Sequence, residues 1–259
     1  MGPTLIAVAL IAALFLGMLA MIEAGRRVGQ ARLARDPSGL ARGNGAAEAA
    51  VFGLLGLLIA FTFSGAATRF QERKQQITQE ANAIGTAYLR IDLVAPAAQP
   101  ELRDLMRRYT DVRIVTYSNV ADVEGTRAHL AEGSTLQSTI WTKALAASAA
   151  QGASPDAARL LVPALNDMFD ITTTRVMATR NHSPAIVFLL LVTLCLVGAL
   201  LIGYELSGAT PRARLIPLAF SAALTLCVYV IVDLEFPRLG FININDVDQV
   251  LVEVRQSMR

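Results

Sequence analysis

Four stretches of this 259-residue chain carry no charged side chain: residues 1–22, 49–68, 183–204 and 215–232. All 44 acidic and basic residues fall in the remaining 177, where they make up about a quarter, a normal share for a water-facing chain. That distribution excludes a wholly soluble enzyme. Cysteine is nearly absent. Cys195 and Cys227 both lie inside the uncharged runs, where a thiol acts as a small hydrophobe, so the fold does not rest on disulfides. Two histidines, His129 and His182, cannot build a His-rich metal site, and the chain has no Gly-rich phosphate loop, HExxH or GxSxG. No catalytic residue, metal ligand or cofactor is therefore expected, and the chain is not read as an enzyme. An excess of one charge is also missing: 23 Lys and Arg stand against 21 Asp and Glu, for a net charge of +2. Nucleic acid is not an expected partner.

The uncharged runs have the length of membrane spans. At roughly 1.5 Å per residue, about 20 helical residues cross a hydrocarbon core of about 30 Å. The expected fold is an all-α integral membrane protein with four transmembrane helices. Residues 1–68 hold the first two with an Arg-rich linker, 69–182 form a helical extramembrane domain, 183–232 hold the last two, and 233–259 are a C-terminal segment. The first run begins Met1-Gly2-Pro3-Thr4, without a basic n-region or a cleavage motif, so it reads as an uncleaved helix. Pro184 and Pro217 fit the first turns of the third and fourth spans. The lipid bilayer is the first expected partner.

Segment 69–182 has 13 basic and 12 acidic residues and a helical pattern throughout. Arg69 to Arg90 continues the second span without a breaker except Gly85, so one helix of some forty residues is expected to leave the membrane. Pro96 and Pro100 mark a turn. Leu102, Met106, Tyr109 and Val112 recur at helical spacing, as do Leu130, Leu136, Ile140, Trp141 and Leu145. Ser154-Pro155-Asp156 signals the start of a helix that buries Leu161, Leu165, Met168, Phe169 and Val176 and runs up to the third span. Trp141, Tyr88 and Tyr109 are expected in the core and His129 at the surface. Residues 36–46, with Asp36-Pro37-Ser38-Gly39 and Gly43-Asn44-Gly45, read as a loop.

On the second span Gly53, Leu57, Phe61, Gly65 and Arg69 lie four apart and share one helix stripe. Such a stripe can line a pore. Equally, Gly53, Gly56, Ala60, Ser64 and Gly65 can serve close helix packing. Arg69 and Arg73 at the exit are either ion-attracting groups or boundary charges that snorkel to the headgroups. Among the acids at span ends, Glu48 and Glu205 read as solvated boundary markers. Asp233 and Glu235 precede Phe236-Pro237-Arg238, a compact turn, and read as a structural clamp with Arg238; a cation or proton site is the alternative.

The run from Leu57 to Lys74, Leu-Leu-Ile-Ala-Phe-Thr-Phe-Ser-Gly-Ala-Ala-Thr-Arg-Phe-Gln-Glu-Arg-Lys, resembles the second helix of bestrophins, the pentameric anion channels. Phe61 and Arg69 keep the family's spacing and Phe70 takes one aromatic position, while the family's Arg-Trp-Trp is absent. The phrases Phe61–Ala67, Glu80–Arg90 and Asp233-Leu234-Glu235-Phe236-Pro237-Arg238-Leu239-Gly240 resemble a bacterial bestrophin-like family of unsettled activity. This resemblance implies a homo-oligomer, a pentamer in bestrophins, in which Gly53, Leu57, Phe61 and Gly65 line a hydrophobic neck that passes inorganic ions, with anions preferred. A non-conducting scaffold or sensory subunit, whose helical bundle binds a partner, is the alternative.

Four spans put both termini and segment 69–182 on one side. Arg26, Arg27, Arg32, Arg35, Arg42, Arg212 and Arg214 in the two linkers argue for linkers inside, against Arg69, Arg73, Lys74, Arg175, Arg180 and Arg238 near span ends opposite. The bestrophin resemblance implies the reverse, with the segment in the cytoplasm, and that is the orientation expected here. The membrane implied is the bacterial inner membrane.

Overall fold

The computed structural model describes residues 3–35, 45–118, 122–208, 215–238 and 240–258. Among these the chain is helical, with no strand. In order the helices are α1 (Pro3–Arg35), α2 (Gly45–Arg90), α3 (Gln99–Ser118), α4 (Val123–Ala149), α5 (Ala157–Arg180), α6 (Ala185–Glu205), α7 (Leu215–Glu235) and α8 (Asn245–Ser257). Short 3-10 turns occupy Ile91–Leu93, Pro96–Ala98 and Leu206–Gly208. Two compact units result, one of Met1–Phe70 with His182–Ile242, the other of Gln71–Asn181 with Asn243–Arg259. Apart from Gly45 and Ala46, which open α2, the loop read at 36–46 lies outside the described residues, as do Arg42, Arg212, Arg214 and Leu239.

The first unit holds four helical segments long and apolar enough to cross a membrane: α1, α6, α7 and the first half of α2. Leu14, Met18, Leu55, Ala66, Leu191, Cys195, Ala199, Val228 and Ile231 form its core. Helix α1 continues well past the uncharged run, with Glu23 accepting from Arg26 and Arg27 at 3.0 and 2.9 Å, three and four residues on. Small residues set the approach of α1 to α6. A Cβ at Gly25 would overlap the carbonyl oxygen of Leu200, and one at Gly203 would overlap that of Ile22. Gly25-Arg26-Arg27-Val28-Gly29 has the small-xxx-small spacing that lets membrane helices touch backbone to backbone. Glu48, expected in water, is buried instead at 8% exposure, while Glu205 is exposed.

In the second unit the helices present seams spaced three or four residues apart. Ile77, Ile84 and Ala87 come from α2 and Ile91 from the turn that follows it; Leu102, Met106 and Tyr109 from α3; Leu161, Leu165 and Met168 from α5. Leu136, Ile140 and Ala144 of α4 complete the core, with Tyr88 inside it and Trp141 packed against it. Three seam positions carry a charge: Glu80, Arg113 and Arg175, all buried. Arg113 Nε donates to one Glu80 oxygen and Arg175 Nη1 to the other. Asp248 of α8 lies 3.5 Å from Arg175 Nη2, so two carboxylates meet two guanidiniums. The Tyr117 ring lies 4.0 Å from the Arg175 guanidinium carbon, and its hydroxyl accepts from Arg113 Nη2 at 3.0 Å. Burial alone would push the Glu80 carboxyl up, but Arg113 and Arg175 outweigh it and hold the group below the usual carboxylate value.

Some boundaries differ from the expectation. Asp156 is the N-cap residue of α5, so Pro155 lies just outside the helix. Helix α5 ends at Arg180 and residues 181–184 are not helical, so α5 stops short of α6. Helix α8 was not foreseen. It repeats the same seam with Asp248, Leu251, Arg255 and Met258, and Arg255 grips Asp111 of α3 at 2.8 and 3.1 Å.

Three substitutions test this packing. Gly203→Ala forces a methyl into a backbone and is expected to cost about 1–3 kcal/mol, the usual range for overpacking, read as a lower melting temperature in detergent. Gly85→Ala, in a helix interior with no atom within 4 Å of the added Cβ, is expected to raise stability by about 0.5–1 kcal/mol. Glu80→Gln leaves guanidiniums buried without their shared carboxylate, and a loss of about 3–5 kcal/mol is expected. Because the folded-state value of Glu80 is depressed, its stabilisation is fully present above about 4.5, the ordinary carboxylate value, and is lost as pH falls through the lower folded value. The melting temperature of Glu80→Gln should therefore fall less steeply than wild type as the medium is acidified below that pH; parallel profiles would refute the assignment.

Candidate functional site

Among the described residues, nothing covers one side of α2 in the first unit. Gly53, Leu57 and Phe61 are all exposed, Leu57 at 52% and Phe61 at 68%. About 100° round the helix, Gly56, Ala60, Ser64 and Thr68 form a second exposed stripe, also spaced by four. A Cβ at Gly53 or Gly56 would meet nothing within 4 Å. The composition of this face is unusual for a lipid-facing surface. On α6 the large Ile186, Leu189 and Leu190 are exposed, while the small Gly198, Ala199 and Gly203 are buried. On α2 the small Gly53, Gly56, Ala60 and Ser64 are exposed.

Gly65 does not continue the open face. It is half-buried, and the Arg69 guanidinium folds back over it, 3.3 Å from where a Cβ would stand. Arg69 is held there by Glu235, a residue with 0% exposure at the end of α7. Its Nη2 donates to Glu235 Oε2 and to Ser183 Oγ, each at 2.6 Å, and its Nε lies 3.1 Å from Glu235 Oε1. The Ser183 amide donates to Glu235 Oε1 at 2.9 Å, and His182 Nδ1 approaches the same oxygen at 3.3 Å. The His182 ring stacks on Phe236 with centroids 4.6 Å apart. Arg73, in the second unit, is buried and donates to the backbone carbonyls of Ala178 and Asn181 at 3.3 and 2.9 Å, at the C-terminal end of α5. Both arginines thus have partners of their own.

Asp233, two residues before Glu235, does different work. Its Oδ2 accepts from the amides of Phe241 and Ile242 at 3.1 and 2.8 Å, and from the Tyr229 hydroxyl at 3.4 Å. A Cβ at Gly240 would overlap the Asp233 carboxylate, so only glycine admits this approach. Pro237 and Arg238 lie within the turn that carries the chain from α7 back to these amides. Asp233 is thus held by backbone amides, and Glu235 pairs across 166 residues with Arg69. Sequence reasoning named Arg69 and Glu235 separately but did not join them, and it missed Ser183.

A family model for the bestrophin-like domain matches residues 44–248. The fold is similar to two crystal structures of a bacterial bestrophin homolog from Klebsiella pneumoniae, each carrying a single substitution. TM-scores are 0.70 and 0.67 at 12% and 13% identity, covering 95% and 93% of this chain and 100% and 98% of theirs. No curated protein matches the sequence.

The turn makes its own prediction. Asp233→Asn weakens charge-assisted bonds to two amides, and a stability loss of about 1.5–3 kcal/mol is expected, with ion flux unaltered. Gly240→Ala should lower the melting temperature as well. Flux that falls in Asp233→Asn at unchanged stability would replace the clamp with an ion site.

Proposed function

The chain belongs to the bestrophin-like family, and on that premise we propose that it spans the membrane four times and assembles as a homo-oligomer into a passive ion channel. The observation that carries this reading is the unpartnered face of α2. Exposed small residues at Gly56, Ala60, Ser64 and Thr68 suit the close approach of a neighbouring helix, since lipid tails fill no better against glycine than against leucine. The adjoining stripe of Gly53, Leu57 and Phe61 then faces the axis of the assembly, where apolar rings form a neck that gates by dewetting. Pentameric assembly and a preference for anions follow the resemblance to bestrophins. Arg69 is neutralised by Glu235, so its role in this reading is to hold the end of α2 rather than to attract ions. The unit containing Gln71–Asn181 lies in the cytoplasm, and the membrane is the bacterial inner membrane.

Water leaves a narrow apolar collar readily, so ions meet a barrier at Phe61 even when the hole is open. Phe61→Ala removes that surface, and chloride flux into liposomes is expected to rise or become constitutive. Phe63 lies about 200° further round the helix, so Phe63→Ala should cost stability and leave flux nearly unchanged. Wild-type and Phe61→Ala proteins that are folded, oligomeric by mass in detergent and equally silent to chloride, nitrate, sodium and potassium would reject the channel. That result would favour a scaffold or sensory subunit.

A further inference from the structure

Within the second unit, α3, α4 and α5 line an open cavity of about 340 Å³. Each helix contributes positions from one face: Tyr109 and Arg113 of α3; Leu130, Gly133, Ser134 and Gln137 of α4; Thr173, Val176, Met177 and Arg180 of α5. These are spaced three, four and seven apart, so the cavity follows the helices for about 10 Å. Its origin is compositional. Where α4 continues inward, Leu136, Ile140 and Ala144 fill the core; at Gly133 and Ser134 the side chains are too small to do so. An open cavity of this size, lined in part by polar groups, holds either water or a ligand.

The lining has a definite chemistry. Two guanidiniums contribute to it, Arg113 fully buried and Arg180 exposed, and no carboxylate does. Arg113 is fixed at the wall by its bonds from Nε to Glu80 and from Nη2 to the Tyr117 hydroxyl. Among the described residues Arg180 makes no ion pair. Along the wall runs a hydrogen-bonded ladder: Gln137 Nε2 donates to the Tyr109 hydroxyl at 3.2 Å, that hydroxyl lies 2.9 Å from Thr172 Oγ1, and Thr172 bonds back to the Met168 carbonyl at 3.2 Å. Burial pushes the Tyr109 hydroxyl above its ordinary value, so it stays protonated and keeps the ladder in place. The wall is thus preorganised, cationic at two points and without a carboxylate to balance a bound cation.

We propose that this cavity binds a small organic dianion, a dicarboxylate or a phosphomonoester, between Arg113 and Arg180. A volume near the lower end of ligand pockets admits a small metabolite rather than a nucleotide. Guanidinium forks match carboxylate and phosphate oxygens alike, so both sources share the recognising chemistry. The proposal stands apart from ion conduction, because its test reads binding alone.

The test is thermal shift and calorimetry on the full-length protein in detergent, titrated with succinate and with glycerol 3-phosphate at constant ionic strength. At least one dianion is expected to raise the melting temperature saturably, and which one does so identifies the acid group. Chloride and the diamine putrescine should not. Arg180→Gln is expected to weaken binding about tenfold, and Ser134→Phe, which fills the cavity, to abolish it. Should Ser134→Phe fail to fold, Arg180→Gln, an exposed change, decides. No saturable shift with either dianion, an equal shift with chloride or putrescine, or undiminished binding in Arg180→Gln would overturn the site.

Discussion

Glu235 is a carboxylate with no access to water at the end of a long apolar helix, and the chain around it is arranged to meet that charge. An ion of this size buried without partners costs several kcal/mol, more than a whole turn of helix contributes. Arg69, Ser183 and His182 converge on its two oxygens. Each partner imposes a condition of its own. Arg69 reaches Glu235 by folding back over position 65, which is open because that residue is glycine. Ser183 can offer its amide because residues 181–184 are not helical, so its N–H is not spent on a carbonyl four residues earlier. The break between α5 and α6 is therefore part of the ion pair and not a mere linker.

The second unit solves a related problem differently. Its seams of four-three spacing are apolar except where Glu80, Arg113 and Arg175 face one another. An apolar seam of one spacing leaves neighbouring helices free to slide by a turn at little cost. A carboxylate that must find two guanidiniums admits one register, which is the best-attested use of buried ionic groups in helical packing. Asp248 extends the constraint to α8, tying a helix far along the chain to the same point.

Much of this architecture was legible. The apolar runs gave the long helices because hydropathy acts locally, and α2 was readable as one continuous helix because nothing between Arg69 and Arg90 breaks it. The seam charges were legible in principle too: Arg113 stands four residues after Tyr109 on the stripe Leu102, Met106, Tyr109, where a hydrophobe belongs, and Arg175 stands likewise seven after Met168. Arg113 passed unremarked and Arg175 was counted only among the charges near span ends, because a charge on an amphipathic helix is ordinarily assigned to water. What was not legible was pairing. Nothing in the sequence near Arg69 points to a residue 166 positions away, and nothing near Asp233 shows that its partners are backbone amides, which every residue but proline carries. Glycine gave the missing clue in both cases. Gly65 and Gly240 are places where a side chain would obstruct a carboxylate or guanidinium, and their meaning appears only once the neighbour is known.

The same distinction explains how a fold of this kind is kept at very low sequence identity. Seams and apolar runs constrain residue class rather than identity, so leucine, isoleucine, methionine and alanine can exchange along them while volume is conserved. Only a few positions demand one residue type, each for a geometric reason: glycine where backbone, carboxylate or guanidinium comes too close for a Cβ, and the charged groups that must be matched in burial. The exposed face of α2 falls under neither rule within a single chain. Among the described residues nothing lies within 4 Å of a Cβ built at Gly53 or Gly56, so no contact there requires either to be small. In the proposed oligomer that face takes its meaning from a neighbouring helix, because small residues let two backbones approach closely.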